Sequence, residues 1–268
     1  MRMRKVAVGL ITFIFTYTAC GPATTMTADG YPVSAYEAAG VFFSQTRVIN
    51  VEIAYEPGAV PYTGTVSSGL QAWQILKDNI KALYQGRSIQ PVINVPTDFS
   101  GMTQIPSQNK SSWTKLDIYN VGDKYRKLKS NDAESDFIIV FLKGYYNDGT
   151  ATQTSVIGVS VGGTTVVGIF KDVITASGSS GGSLGSDTAK YVEQSTMVHE
   201  LGHALGLVNN GLPMKAPHVD HSTHCTNPNC VMYWQNQGTA SLQAFVNKLK
   251  AGSDVMYGPE CLQDAQQY

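Results

Sequence analysis

The stretch that decides how this chain is read is VHELGHALGLVNNG, residues 198–211. Around it Ala189, Val192, Met197, Leu201, Ala204, Leu205 and Val208 fall at helical spacing, which predicts a long helix beginning near Ser186 or Asp187. Residues four apart on such a helix differ by about 40° around its axis, so His199 and His203 face one side and can share a cation. Glu200, the next residue on, flanks that cation without having to ligate it. Neutral imidazoles suit zinc, and three protein ligands leave zinc a fourth position for water. A chance HExxH on a helix surface is the competing reading. Against it, all five histidines, His199, His203, His218, His221 and His224, fall within the 26 residues from 199 to 224.

Outward from this helix, RVINVEIAY from Arg47 alternates Ile49, Val51, Ile53 and Tyr55 with Asn50, Glu52 and Ala54, the period-two pattern of a strand with one buried face. Leu70, Trp73, Leu76, Ile80 and Leu83 predict an amphipathic helix from Ser67 to Gln85, with Ser67 or Ser68 as N-cap and Gly86 as its stop. IQPVINV, DFIIVFLKG from Asp136, SVIGVSV and TTVVGIF read as strands, the last two joined by a Gly162-Gly163 hairpin turn. SGSSGGSLGS, 177–186, reads as a flexible loop. Leu242, Phe245, Val246 and Leu249 mark a further helix from Ser241 to Gly252. The expected fold class is α/β (α+β): a mixed sheet backed by two helices, then a small irregular half with one helix.

The chain has 268 residues, 43% hydrophobic and 15% charged, enough for one or at most two globular units with a real core. With 19 basic against 20 acidic residues the formal charge is -1, so no basic excess recruits nucleic acid, and KYRKLK at 124–129 reads as a solvated face. MRMRK, VAVGLITFIF and TYTACGP form a positive, an apolar and a small-residue segment, the pattern of an export signal. The apolar stretch from Val6 to Ala19, 14 residues, is shorter than the roughly 20 residues of a spanning helix. Thr18-Ala19-Cys20-Gly21 resembles a bacterial lipobox, with Tyr17 where an aliphatic residue is usual. That resemblance implies removal of residues 1–19 and a lipid on Cys20; an ordinary signal peptide cut nearby would export the chain as well. Loss of Arg2, Arg4 and Lys5 leaves 16 minus 20, a mature charge of -4. Residues 20–46 then read as a lipidated tether. Beyond Cys20 the cysteines are Cys225, Cys230 and Cys261. In an exported chain a disulfide is the first expectation, and Cys225 with Cys230 spans a short loop, but sequence does not fix the pairing.

These residues resemble the metzincin clan of zinc peptidases, whose extended motif is HExxHxxGxxH followed by a Met-turn. Gly206 stands at the motif glycine, where the helix ends and the chain turns. Asn209 stands where the last motif histidine is expected, and an amide is a poor zinc ligand. HCTNPNCVMYW, 224–234, resembles the matrixin segment from the third ligand to the Met-turn. In that register a 15-residue insertion, NNGLPMKAPHVDHST, precedes His224, which lies eight residues before Met232. The resemblance therefore implies His224 as third ligand, with His218 and then His221 as alternatives, and Met232 as the apolar floor under the zinc. His218 and Asp220 otherwise read as plain loop residues, or as a supporting or calcium-binding pair.

The same stretch is similar to the His-Cys-x4-Cys-x-Met pattern of archaemetzincins. Their later Cys-x-x-Cys is absent, and with only Cys261 downstream this argues against a second, cysteine-bound zinc. Tyr233 directly follows Met232, whereas astacins carry a ligating tyrosine two residues after the methionine, so Tyr233 is left outside the metal site.

What the resemblance implies is a metzincin-like zincin over residues 47–268. An upper subdomain of about 47–208 would hold a mixed twisted sheet, a backing helix and the active-site helix. A lower subdomain of about 209–268 would hold the Met-turn and one helix. An edge strand from VIGVSV or TTVVGIF would line the cleft and pair with substrate. Zn2+ would activate water with Glu200 as general base, making the chain a metalloendopeptidase on polypeptides. The alternatives are a non-catalytic zinc-binding surface lipoprotein and a peptidase of cell-wall peptides. The expected setting is the bacterial cell envelope, on the outer membrane at its periplasmic or cell-surface face, with the lipid as sole membrane contact, no nucleic acid, and a monomer.

Overall fold

The uninterrupted apolar run at residues 137–142 becomes the middle of the main sheet, because a strand covered on both faces needs no polar alternation. The computed structural model describes residues 23–66, 69–179, 188–234 and 255–267. The export signal, Cys20, the serines proposed as helix caps at 67 and 68, and the helix expected at 241–252 lie outside those residues.

In chain order the elements are β1 (Thr24–Met26), β2 (Pro32–Ser34), α1 (Ala39–Ser44), β3 (Val48–Tyr55), α2 (Ala72–Leu83), β4 (Val92–Asn94), β5 (Thr103–Gln104) and β6 (Ser112–Trp113). They continue with α3 (Lys115–Tyr125), β7 (Glu134–Leu142), β8 (Tyr145–Asn147), β9 (Thr152–Gln153), β10 (Gly158–Ser160), β11 (Val166–Phe170), α4 (Lys171–Ser179) and α5 (Thr188–Ala204). The hairpin strands β12 (Val219–Asp220) and β13 (His224–Cys225) and a helix at Pro259–Gln266 follow. Among the described residues no helix is long and apolar enough to cross a membrane.

The sheet runs β10-β11-β7-β3-β4, with β5 also on β3; all pairs are parallel except β10 with β11. It is a mixed sheet, as expected, and the two runs flanking Gly162-Gly163 form the expected hairpin. Register fixes the faces. Ile138 lies opposite Val166 and Glu52, so these share one face, and Gly122 of α3 sits on Val166 and Ile138 there. The other face carries Ile49, Val51 and Ile53 with Phe137, Ile139 and Phe141; Trp73 of α2 packs on Phe141 with ring centroids 6.2 Å apart. Helix α5 lies beside α2 on that face, under β10 and β11.

Four features differ from the sequence reading. Helix α2 is capped not by a serine but by Gln71, whose side chain accepts from Trp73 N at 2.7 Å. Helix α3 was not expected; Thr114 and Asp117 start it with a reciprocal capping box, and KYRKLK straddles its end, where Arg126 pairs with buried Glu37 at 2.5 Å. Most consequential, the expected tether is part of the fold from residue 24 onward. Strands β1 and β2 form a hairpin, and α1 buries Phe42 against Phe137 and Phe43 against Tyr84, each pair at 5.0 Å. Full burial of one phenylalanine contributes about 1.5–3 kcal/mol toward offsetting the entropy of ordering this arm. A further helix, α4, stands where the glycine-rich loop was expected to begin, reaching Ser179.

Candidate metal centre

Helix α5 is buried on almost every side, with Glu193, Gln194, Ser195, Thr196, His199 and Glu200 among its buried polar residues. Lys171 of α4 forms a buried ion pair with Glu193, whose other oxygen accepts from Tyr62 N at 2.7 Å. This anchors the N-terminal half of α5 and leaves the C-terminal half to carry the histidines. The helix stops at Gly206, which has φ +94° and where a side chain would collide with Ala39 of α1. The left-handed conformation and the missing Cβ are both needed at that position.

His199, His203 and His224 offer ring nitrogens that all lie within 4.8 Å of one another. The Nε2 atoms of His199 and His203 are 3.1 Å apart, close to the ~3.3 Å expected for two imidazoles on one tetrahedral zinc with Zn–N near 2.05 Å. The far nitrogens are held by the chain. His199 Nδ1 is 2.7 Å from Val231 O and His224 Nδ1 is 2.8 Å from His221 O. Donation from Nδ1 leaves the Nε2 lone pair for a metal. His203 Nδ1 lies 3.0 Å from Asn210 Nδ2, which also donates to Leu207 O at 2.8 Å. A metal on His203 Nε2 calls for the opposite arrangement, with Nδ1–H donating and the Asn210 amide turned to offer its oxygen. Burial, opposed by the bond to Val231 and assisted by His224, lowers His199 to about 4; burial with the neighbouring histidines puts His203 well below its ordinary value. Both rings are therefore neutral at pH 7, as metal ligation requires.

Asn209 is exposed at φ +63°, while His218 is buried with Cys225 and Cys261 and His221 stacks on Trp234 at 4.2 Å. The histidine that meets the α5 pair is thus His224. It arrives on β13 at the end of the inserted segment, whose turn takes positive φ at His221 and Ser222.

Glu200 is 3% exposed, and its Oε2 accepts from Ser160 N at 2.8 Å. Burial pushes it up to about 8 against that hydrogen bond. Strand β10 approaches α5 this closely because residue 158 is glycine: a Cβ there would come 2.7 Å from both Glu200 Cγ and Thr196 Cγ2. Among the described residues β10 is an edge strand. Ile157 O and Val161 N bond to β11, so the alternation turns Gly158 and Ser160 outward. The cleft beside it has a volume of about 400 Å³ and is lined by β10, Glu200, His203 and His224, together with Asp29, Lys115 and Tyr146. VIGVSV, not TTVVGIF, is the run that lines it.

Met232 is fully buried against α5, where a side chain at Gly202 would come 2.5 Å from its sulfur. The turn that carries it is tied by Cys225 N to Met232 O and Val231 N to Met256 O, each 2.8 Å, and Tyr257 donates to Val198 O at 2.8 Å. Sequence reasoning missed Gly158, Ser160, Asn210 and Tyr257. None has a local signature; each matters only for what it touches across the fold.

The molecule is thus a mixed α/β protein with a three-histidine metal-ready centre under an edge strand. No protein-family model matches the chain, and no curated protein matches it. Among solved structures it is similar to a zinc-dependent peptidase from Methanocorpusculum labreanum strain Z, with 13% identity and TM-score 0.46, over 80% of this chain and 99% of that one.

Proposed function

We propose that the protein is a zinc metalloendopeptidase of metzincin type, with His199, His203 and His224 as metal ligands and Glu200 as general base. The observation that carries this reading is the convergence of three imidazoles next to a buried carboxylate, at a cleft beneath an edge strand. Zinc bound by those histidines would supply Lewis acidity to a scissile carbonyl and acidify water. Glu200 takes the proton of that water and passes it to the leaving amine. Ser160 N–H fixes one carboxylate oxygen, so strand β10 orients the base. Its raised affinity for a proton suits that exchange, and a cation on the neighbouring histidines would lower that affinity by favouring the carboxylate. The outward backbone groups of Gly158 and the carbonyl of Ser160, whose N–H is held by Glu200, pair with an extended polypeptide, which selects a backbone before any side chain.

The reading extends to an exported protein held at the cell envelope by a lipid on Cys20, with the folded domain following directly. Purified protein incubated with a random peptide library should cleave it, stop with chelator and resume with added zinc. Glu200→Gln should keep its metal and lose activity by about 10²–10⁴-fold. Near-normal turnover in that variant would remove Glu200 from the mechanism. A wild type that binds zinc and cleaves no peptide would favour the non-catalytic scaffold, and cleavage confined to cell-wall peptides would narrow the substrate.

A further inference from the structure

We propose that Cys225, Cys230, Cys261 and His218 hold a second metal ion, zinc by the chemistry of its donors, which is structural and separate from the catalytic centre.

The three cysteines are all buried, none forms a disulfide, and Cys261 is brought to Cys225 and Cys230 from 31 residues beyond Cys230. Cys225 ends β13, Cys230 lies two residues before Met232, and Cys261 sits in the first turn of the helix Pro259–Gln266. Cys230 Sγ and Cys261 Sγ are 3.5 Å apart, near the ~3.7 Å expected for two sulfurs on one tetrahedral zinc with Zn–S about 2.3 Å. Cys261 Sγ and His218 Nε2 are 3.6 Å apart, where the same geometry with a Zn–N bond of about 2.05 Å gives ~3.6 Å. His218, Cys225 and Cys261 place their donor atoms within 4.8 Å of one another.

The surroundings are those of ligands. Gly258 N donates to Cys230 Sγ at 3.1 Å and Asn227 N to Cys225 Sγ at 3.4 Å, the backbone support that thiolates on a metal require. His218 Nδ1 lies 3.0 Å from Ala216 O, so the proton sits on Nδ1 and the Nε2 lone pair faces Cys261. Asp264, 1% exposed, brings Oδ2 to 3.4 Å from that Nε2, and this oxygen has no hydrogen-bond partner. The donor atoms of His218, Cys225 and Cys261 thus converge in one buried region, with Cys230 beside Cys261 and Asp264 beside His218, which is costly without a cation. A single disulfide would leave the third thiol, His218 and Asp264 unanswered. Sequence argued against this site because the second Cys-x-x-Cys is missing; the inserted segment supplies His218 in its place.

The consequence is local. The four ligands staple the insertion, the Met232 turn and the helix Pro259–Gln266, and Cys225 is the neighbour of His224. The second ion would therefore hold the third catalytic histidine in register.

The test is metal content and cobalt spectroscopy of the full-length protein purified under reductant. Two zinc ions per chain are expected, and the cobalt-substituted protein should show thiolate-to-cobalt charge transfer, which the histidine centre cannot produce. The double variant His199→Ala/His203→Ala should keep one ion and that band, whereas Cys261→Ser should drop to one ion and lose it. His218→Ala should shift the band and weaken cobalt binding at least tenfold; Asp264→Asn should leave the band in place. One ion per chain with no charge transfer in the wild type, which needs no variant to fold, would overturn the proposal. So would a Cys230 to Cys261 disulfide in the reductant-purified protein. Loss of the band in Asp264→Asn but not His218→Ala would overturn the fourth ligand. Because the band reports sulfur ligation alone, a failed peptidase assay leaves this result readable.

Discussion

Replacing Gly158 with alanine tests whether strand β10 must ride directly on helix α5. The added Cβ would stand 2.7 Å from Glu200 Cγ and 2.7 Å from Thr196 Cγ2, where relaxed carbon contacts are near 3.5–4.0 Å. Neither neighbour can swing away, since Glu200 is tied to Ser160 N at 2.8 Å and both belong to a buried helix. The strand must therefore lift by several tenths of an ångström, an overpacking cost of roughly 1–3 kcal/mol. At about 2 kcal/mol the melting temperature of a domain this size falls by roughly 4–8 °C. The same lift lengthens the Ser160 to Glu200 bond and displaces the base, and misplacements approaching 1 Å cost about 10²-fold in rate. Metal content should not change, because no ligand contacts residue 158 in this way. The assay is thermal unfolding beside kcat/KM and zinc stoichiometry. Adding Thr196→Ser, which removes Thr196 Cγ2, should recover part of the lost stability. Wild-type melting and wild-type kcat/KM in Gly158→Ala would refute the close packing on which the argument rests.

Three further outcomes can be measured. His224→Ala should lose the catalytic ion and activity while exposed Asn209→Ala keeps both; metal titration decides, and retained stoichiometric zinc at the histidine centre of His224→Ala would contradict the ligand set. Phe42→Ala should destabilise the protein by about 3–5 kcal/mol in denaturant unfolding, since Phe42 is 1% exposed; a change below about 1 kcal/mol would return residues 24–44 to the status of a tether. Cys20→Ala should move the protein from the membrane to the soluble fraction, and unchanged fractionation with no fatty acid incorporated into the wild type would dismiss the lipid anchor.

What the sequence by itself determined rests on short-range periodicity. His199 and His203 share a face because a helix repeats every 3.6 residues, and Gly206 ends that helix because few other residues accept its backbone angles. The alternation of Ile49, Val51 and Ile53 and the double glycine between β10 and β11 were equally local signals. Even α3 had one in its Thr114–Asp117 box, masked by a short stripe and by Leu116 facing solvent. Only the tertiary structure could decide matters that join distant segments. It brought His224 to α5 and sent His218 to the cysteines, two histidines six residues apart with opposite destinations. It turned a small, polar arm into core by giving Phe42 and Phe43 aromatic partners from β7 and α2. It also gave Gly158 its meaning through a helix some forty residues away. Periodicity is a property of neighbours in the chain, whereas a donor's partners depend on which surfaces the packed sheet and helices bring within ångströms of one another.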